Sequence, residues 1–155
     1  MVIYMTDIIV NENQSIVTFN NVAASYENSF ICGILERAAK SEISIDMISQ
    51  APATSERISF GFTFYDDDLT KLLSIINSCQ LSEANCKPLV NSGNVKVTVK
   101  SREMIDNAGF AEKVFAVLRN INCVPLLITT GIDEISLLVQ GSAGNDLAKA
   151  LSETF

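Results

Sequence analysis

The chain has 155 residues, 48% of them hydrophobic, enough to fill one ordinary domain or two small ones sharing a core. Its 11 basic residues are scattered among 18 acidic ones, giving a net charge of −7, which argues against nucleic acid as a partner. It contains no histidine, so Ser-His and Cys-His dyads are excluded and a zinc site of the usual Cys/His kind lacks ligands at workable spacing.

Cys32, Cys79, Cys86 and Cys123 form no C-x-x-C pair, and we read them as four buried thiols in a reducing cytosol. No apolar run reaches the roughly 18 residues needed to span a bilayer, and the N-terminus lacks the charged and apolar regions of a signal peptide. A cytoplasmic protein without membrane contact is expected, and nothing in the pattern asks for a cofactor.

The first strand-like run is "YMTDIIV", from Tyr4. A period-2 run, "SIVTFNNV", rich in β-branched residues, comes next. Helical spacing then sets in, with Phe30, Ile31, Ile34, Leu35 and Ala38 on one stripe. Two short strands, "ISIDMIS" and "RISFGFTF", flank the polar loop "QAPATSE". A second helix carries Leu69, Leu72, Leu73 and Ile76, with Asp66 to Asp68 where its N-cap belongs. "CKPLVN" reads as one more strand, and "VNSGN" as a turn.

From there the pattern repeats. "NSFICGILERAAKSEISIDMIS" aligns without a gap to "AGFAEKVFAVLRNINCVPLLIT", placing Phe30 on Phe110 and Ile48 on Ile128, an offset of 80. The preceding strand "NVKVTVKS" carries the same offset, with Val17 on Val97. Beyond the loop Ile58 matches Ile135 at an offset of 77, which makes the first connection three residues longer. Phe110, Val114, Val117, Leu118 and Ile121 form the second stripe, and Leu147, Ala150 and Leu151 belong to a last helix capped near Asn145-Asp146. Each unit thus reads β-α-β-β-α and needs one more strand to complete a split β-α-β, ferredoxin-like arrangement. The first takes "CKPLVN". The second has no strand left after Phe155, and the economical solution is that the N-terminal run completes it. The expectation is an α+β chain of two interlocked βαββαβ units, residues 14–91 and residues 3–11 plus 92–155.

A helix opened by "GF", the strand "ISIDMIS" before a hairpin, and "ISF" or "ISLLV" after it resemble the paired ACT domains in the C-terminal regulatory part of aspartate kinase. The resemblance runs from about Asp7 to Phe155. It implies a non-catalytic amino-acid sensor, with lysine or threonine as feedback effector, acting as a homodimer on an upstream or separate kinase domain. Its effector-binding positions fall on Asn28, Ser29, Phe30 and Ile31 at the turn into the first helix, on Ser44, Ile45 and Asp46, and on Gln50 at the far end of that strand. Such a site is physically sound, since helix-opening N–H groups favour a carboxylate and Asp46 suits an ammonium. Two departures stand out: the family glycine is Ser29 in the first unit and Gly109 in the second, while the counterpart of Asp46 is Leu126, preceded by Pro125. The second unit is therefore expected to serve packing and interface. No stretch resembles the kinase nucleotide-binding segment.

Plainer readings stand beside these. Asp46 could be the outward residue of a half-buried strand. Asp66 to Asp68 are read as capping and not as a metal site, "GSAGN" at Gly141 to Asn145 as a turn and cap and not as a phosphate cradle, and Thr54 to Arg57 as a solvated hairpin. The alternative function is a structural dimerisation module that has lost its ligand, and a free-standing enzyme is a third.

Overall fold

The computed structural model describes residues 4–23, 30–79 and 86–155. Strand β1 (Thr6–Ala23) is one run of 18 residues where the sequence suggests two strands. Helix α1 (Phe30–Lys40), strands β2 (Ile48–Gln50) and β3 (Arg57–Tyr65), a 3-10 turn (Asp66–Asp68) and helix α2 (Leu69–Ser78) follow. Strand β4 (Pro88–Ser101) leads to the short helix α3 (Glu103–Asp106), then α4 (Phe110–Asn120), β5 (Leu127–Thr130), β6 (Glu134–Gln140) and α5 (Gly141–Thr154). The fold is α+β, with β1 and β2 each antiparallel to β3, and β4 and β5 each antiparallel to β6.

"VNSGN" is not a turn. It lies inside β4, where Gly93 adopts φ +72, and 80 residues earlier Asn13 adopts φ 58 inside β1. A single left-handed residue kinks a strand without reversing it, and glycine and asparagine tolerate that conformation best. The chain divides at these kinks. Asn13–Ser92 is one compact unit, and Gly93–Phe155 with the segment ending at Glu12 is the other. The first unit orders its strands β2-β3-β1-β4 and the second β1-β4-β6-β5, so β1 and β4 each serve both.

The helical stripes become the buried faces. In the first unit Ile31, Ile34 and Ala38 of α1 and Leu72, Ile75 and Ile76 of α2 cover Ile58, Phe60, Phe62 and Phe64 of β3. Ile75 takes the core place expected for Leu73, which is exposed. The phenylalanines of β3 stack along the strand with centroids 6.1 Å apart, an aromatic ladder set by period-2 spacing. In the second unit Phe110, Val114, Val117 and Leu118 of α4 and Leu147 and Leu151 of α5 cover Ile135, Leu137 and Val139 of β6.

Strand register corrects the repeat. Val17 opposes Phe62 and Val97 opposes Leu137, so Phe62 corresponds to Leu137 at an offset of 75, and the Ile58 match to Ile135 is displaced by two residues. Since Gln50 opposes Phe60 and Thr130 opposes Ile135, nine residues span the first connection and four the second. The extra length is five residues, not three. It closes in a two-residue turn, with Thr54 and Arg57 exchanging backbone hydrogen bonds of 2.8 and 3.0 Å around Ser55 (φ 52) and Glu56 (φ 60). Both central residues are left-handed, the geometry that favours Asn-Gly.

The helix ends also repeat. Ile43 N–H donates to Ala38 O across Glu42 (φ 57), and Cys123 N–H donates to Leu118 O across Asn122 (φ 53), each at 2.9 Å. These are Schellman closures with a non-glycine residue in the left-handed position.

Three further expectations change. Helix α5 starts at Gly141 directly after β6, so "GSAGN" is its first turn and Asn145-Asp146 lie inside it. The glycines let it sit close: a Cβ on Gly141 would overlap Gly93 O, and one on Gly144 would lie 2.8 Å from the Val95 side chain. Asp68 makes no side-chain cap and instead pairs with Lys71 at 2.7 Å, while Asp66 accepts the Ser15 hydroxyl at 2.5 Å. Of the cysteines only Cys86 is buried; Cys79 and Cys123 are partly buried, and Cys32 is exposed because it follows Ile31 on the outer side of α1.

Glu56→Gly and Glu42→Gly should each raise stability by about 0.5–1 kcal/mol by relieving left-handed strain. Gly144→Ala should lower it by about 1–3 kcal/mol through the clash with Val95. Urea unfolding measures all three, and an unchanged midpoint for Gly144→Ala would contradict the close approach of α5 to Val95.

Candidate functional site

The residues after α1 reach β3 before β2 formally begins. Asp46 N–H donates to Thr63 O at 3.1 Å, Thr63 N–H to Met47 O at 2.9 Å, and Met47 N–H to the Thr63 hydroxyl at 2.9 Å. Residues 43–47 are therefore extended and held to the sheet, although the strand proper is Ile48–Gln50 and not all of "ISIDMIS". The alternation sorts the side chains. Ile43 and Met47 are buried and Ile45 packs on the core, whereas Ser44, Asp46, Ile48 and Gln50 are exposed. Ser44 and Asp46, on the extended segment leading into the unit's outermost strand, and Gln50, at that strand's end, thus lie on one exposed side.

At the opening of α1 the Phe30 ring packs edge-on against Phe19 with centroids 5.3 Å apart, and Ile31 is 6% exposed. Phe30, Ile31 and Ile45 are core side chains, so a ligand would meet chiefly their backbone. Asn28 and Ser29 lie outside the described residues. Phe30 also borders a shallow cavity of about 370 Å³ in which Arg37 Nη1 donates to Ser78 Oγ at 3.3 Å and to Cys79 Sγ at 3.2 Å.

The second unit presents a different edge. Leu126 N–H donates to Leu138 O at 2.7 Å, the same ladder position as Asp46 on Thr63. Val124, Leu126 and Ile128 are exposed there, where the first unit has Ser44, Asp46 and Ile48. One edge is mostly polar and carries a carboxylate; its counterpart is apolar.

The loop before α4 is tied by polar contacts. Asn107 donates its side-chain amide to Glu103 Oε1 at 2.8 Å, Lys113 reaches the same oxygen at 3.3 Å, and the Asn107 side-chain oxygen accepts Gly109 N–H at 2.9 Å. The Asn107 and Lys113 hydrogen bonds hold the Glu103 carboxyl below its usual range. This unit also has a cavity of about 660 Å³ lined by Tyr4, Asp7, Lys100, Arg102, Asp106 and Asp133. No sequence motif announced it, because its charges come from stretches far apart in the chain. Among the described residues no group of three His, Cys, Asp or Glu could hold a metal ion. No described helix is long and apolar enough to cross a membrane.

No protein-family model matches the sequence. An aspartokinase from Bacillus sp. (strain MGA3) is 26% identical over 129 residues, which are 79% of this chain and 30% of that protein. The chain therefore spans less than a third of the length of that curated relative. The regulatory subunit of aspartate kinase from Thermus thermophilus, in a ligand-free form, superposes with a TM-score of 0.83 at 16% identity, covering 96% of both chains. Aspartate kinase from Synechocystis superposes with a TM-score of 0.84 at 22% identity, covering 96% of this chain and 26% of that one. In class this is an α+β protein with the fold of a regulatory subunit. In particular, its structural neighbours are the regulatory parts of aspartate kinases.

The Glu103 contacts predict a pH effect. With its folded pKa depressed, the carboxylate contributes stability that is fully present above the unfolded value and lost as pH falls from about 4.5 through the folded pKa. Glu103→Gln should flatten the part of the stability profile below about pH 4.5, read from urea midpoints between pH 3 and 7. An unaltered acid slope in the variant would show that Glu103 is not ordered by Asn107 and Lys113 in solution.

Proposed function

We propose that this chain is the non-catalytic regulatory module of an aspartate kinase, built from two interlocked ferredoxin-like ACT units and acting in the cytosol on a linked or separate kinase domain. The carrying observation is that it covers, end to end, 96% of a solved regulatory subunit of that enzyme. The strand order β2-β3-β1-β4 in the first unit, with both helices on one core, supports the ferredoxin-like assignment. The units are taken as residues 14–91 and residues 3–11 plus 92–155. The effector is a small amino acid of the lysine or threonine type, held by Asn28, Ser29, Phe30, Ile31, Ser44, Ile45, Asp46 and Gln50. Supporting this placement, Asp46 is exposed near Ser44 on the extended segment leading into an outer strand, where an ammonium can reach it. Regulation then follows from tighter binding of the effector to one of two arrangements of the partner.

A second reading is a dimerisation module without a ligand. The apolar edge of Val124, Leu126 and Ile128 favours it, since an exposed hydrophobic strand edge invites a second copy. The two readings separate in one experiment. Calorimetry with each of the common amino acids at millimolar concentration should give heat for lysine, threonine or a close analogue. Asp46→Lys should weaken that binding about tenfold or more, about 1.4 kcal/mol, and Asp68→Lys should leave it near its original value. A tight dimer that ignores every amino acid establishes the second reading instead.

A further inference from the structure

The 660 Å³ cavity of the second unit has the size of a small-molecule site. Its walls come from the start of β1, from the end of β4 with α3, and from Asp133 in the turn between β5 and β6. Some of its charges are already matched. Lys100 Nζ lies 3.8 Å from Asp133 Oδ2, and Tyr4 donates its phenol proton to Asp106 Oδ2 at 2.6 Å. Asp106 keeps its negative charge, since a phenol is neutral, and Arg102 lies near enough to act electrostatically on Tyr4; the side chains of Arg102 and Asp7 make no hydrogen bond or ion pair with any described residue. The same cavity is lined by Met5 and Ile105, which are 79% and 51% exposed, among the more exposed large apolar side chains of the molecule.

A guanidinium and a carboxylate without a hydrogen-bond or ion-pair partner among the described residues, with two uncovered apolar side chains on one cavity, define a ligand by complement. The guanidinium takes a carboxylate in a two-pronged hydrogen bond. The aspartate takes an ammonium, and Met5 and Ile105 take an aliphatic chain. We propose that this cavity is a second binding site, for a zwitterionic α-amino acid with an apolar side chain, its carboxylate on Arg102, its ammonium on Asp7 and its side chain over Met5 and Ile105. The proposal goes beyond the Asp46 site and does not depend on it.

Calorimetry on the full chain with L-leucine and L-methionine tests it, with 4-methylpentanoic acid lacking the amine and isoamylamine lacking the carboxylate. At least one amino acid should bind, and each single-charge analogue should bind about tenfold more weakly or worse. Arg102→Gln and Asp7→Asn should each cost about tenfold or more, with unligated thermal midpoints unchanged because both side chains are exposed. Asp46→Asn should leave the affinity as it was. Absence of heat with both amino acids, or binding indifferent to Arg102→Gln and Asp7→Asn, overturns the proposal. Binding abolished by Asp46→Asn alone also overturns it, while supporting the effector site of the first unit. Heat with lysine or threonine that depends on Asp46, and none with leucine or methionine, does the same.

Discussion

The second unit depends on a strand made before any other part of it. Residues up to Glu12 belong with Gly93–Phe155, so pairing at the start of β1 must wait until the chain has passed Gly93. Closing so long a loop costs conformational entropy that grows only slowly with length, but contacts this distant in sequence slow folding. The solution is economical in backbone terms. Both long strands carry one left-handed residue where they pass from one unit to the next, Asn13 in β1 and Gly93 in β4. Neither breaks its strand, and each frees the hydrogen-bonding groups on either side to serve a different set of neighbours.

The two units share their scaffold down to single torsions and differ where they meet solvent. The pairs Glu42 and Asn122, and Asn13 and Gly93, keep the repeat in left-handed positions, although only one of these four residues is glycine. A left-handed position filled by Glu42 persists because the Ile43 to Ala38 hydrogen bond and the buried Ile43 side chain fix the chain on both sides of it. Surface chemistry, by contrast, diverges freely. The edge that reads Ser44, Asp46, Ile48 in one unit reads Val124, Leu126, Ile128 in the other, and the hairpin above it is five residues longer in the first. One framework is repeated, and the chemistry of its exposed positions differs between the two copies.

Core stripes were legible in the sequence because burial imposes a period, and a period can be read from one chain. Ile34, Leu72, Val114 and Leu147 all sit at full burial on the faces their spacing implied. Connections were less legible, because their residues answer to backbone torsions and not to burial. "VNSGN" has the composition of a turn, yet Gly93 there kinks a continuing strand. "GSAGN" has the composition of a loop, yet its glycines are the small residues that let α5 lie against Val95 and the Gly93 carbonyl. Matching Ile58 to Ile135 by identity put the hairpin two residues out, since hydrogen-bond register follows the pleat and not residue identity. The contrast of Asp46 with Leu126 was visible from the repeat alone. The second unit's cavity was not, because Asp7, Arg102 and Asp133 are neighbours only after folding.

That cavity is joined to the constraint on which the second unit rests. Its residues Tyr4 to Asp7 lead into β1, so a ligand gripping both Asp7 and Arg102 would bind only the form in which that segment is docked beside the end of β4. By linkage, a ligand present at 100 times its dissociation constant would then favour the docked form by about 2.7 kcal/mol. The Tyr4 hydrogen bond to Asp106 already biases the segment in the same direction, and the acceptor carboxylate pushes the phenol pKa up as it does so. A ligand held there would thus make occupancy of a small cavity and the pairing of a long strand one equilibrium, set at the contact between the start of β1 and the loop before α4.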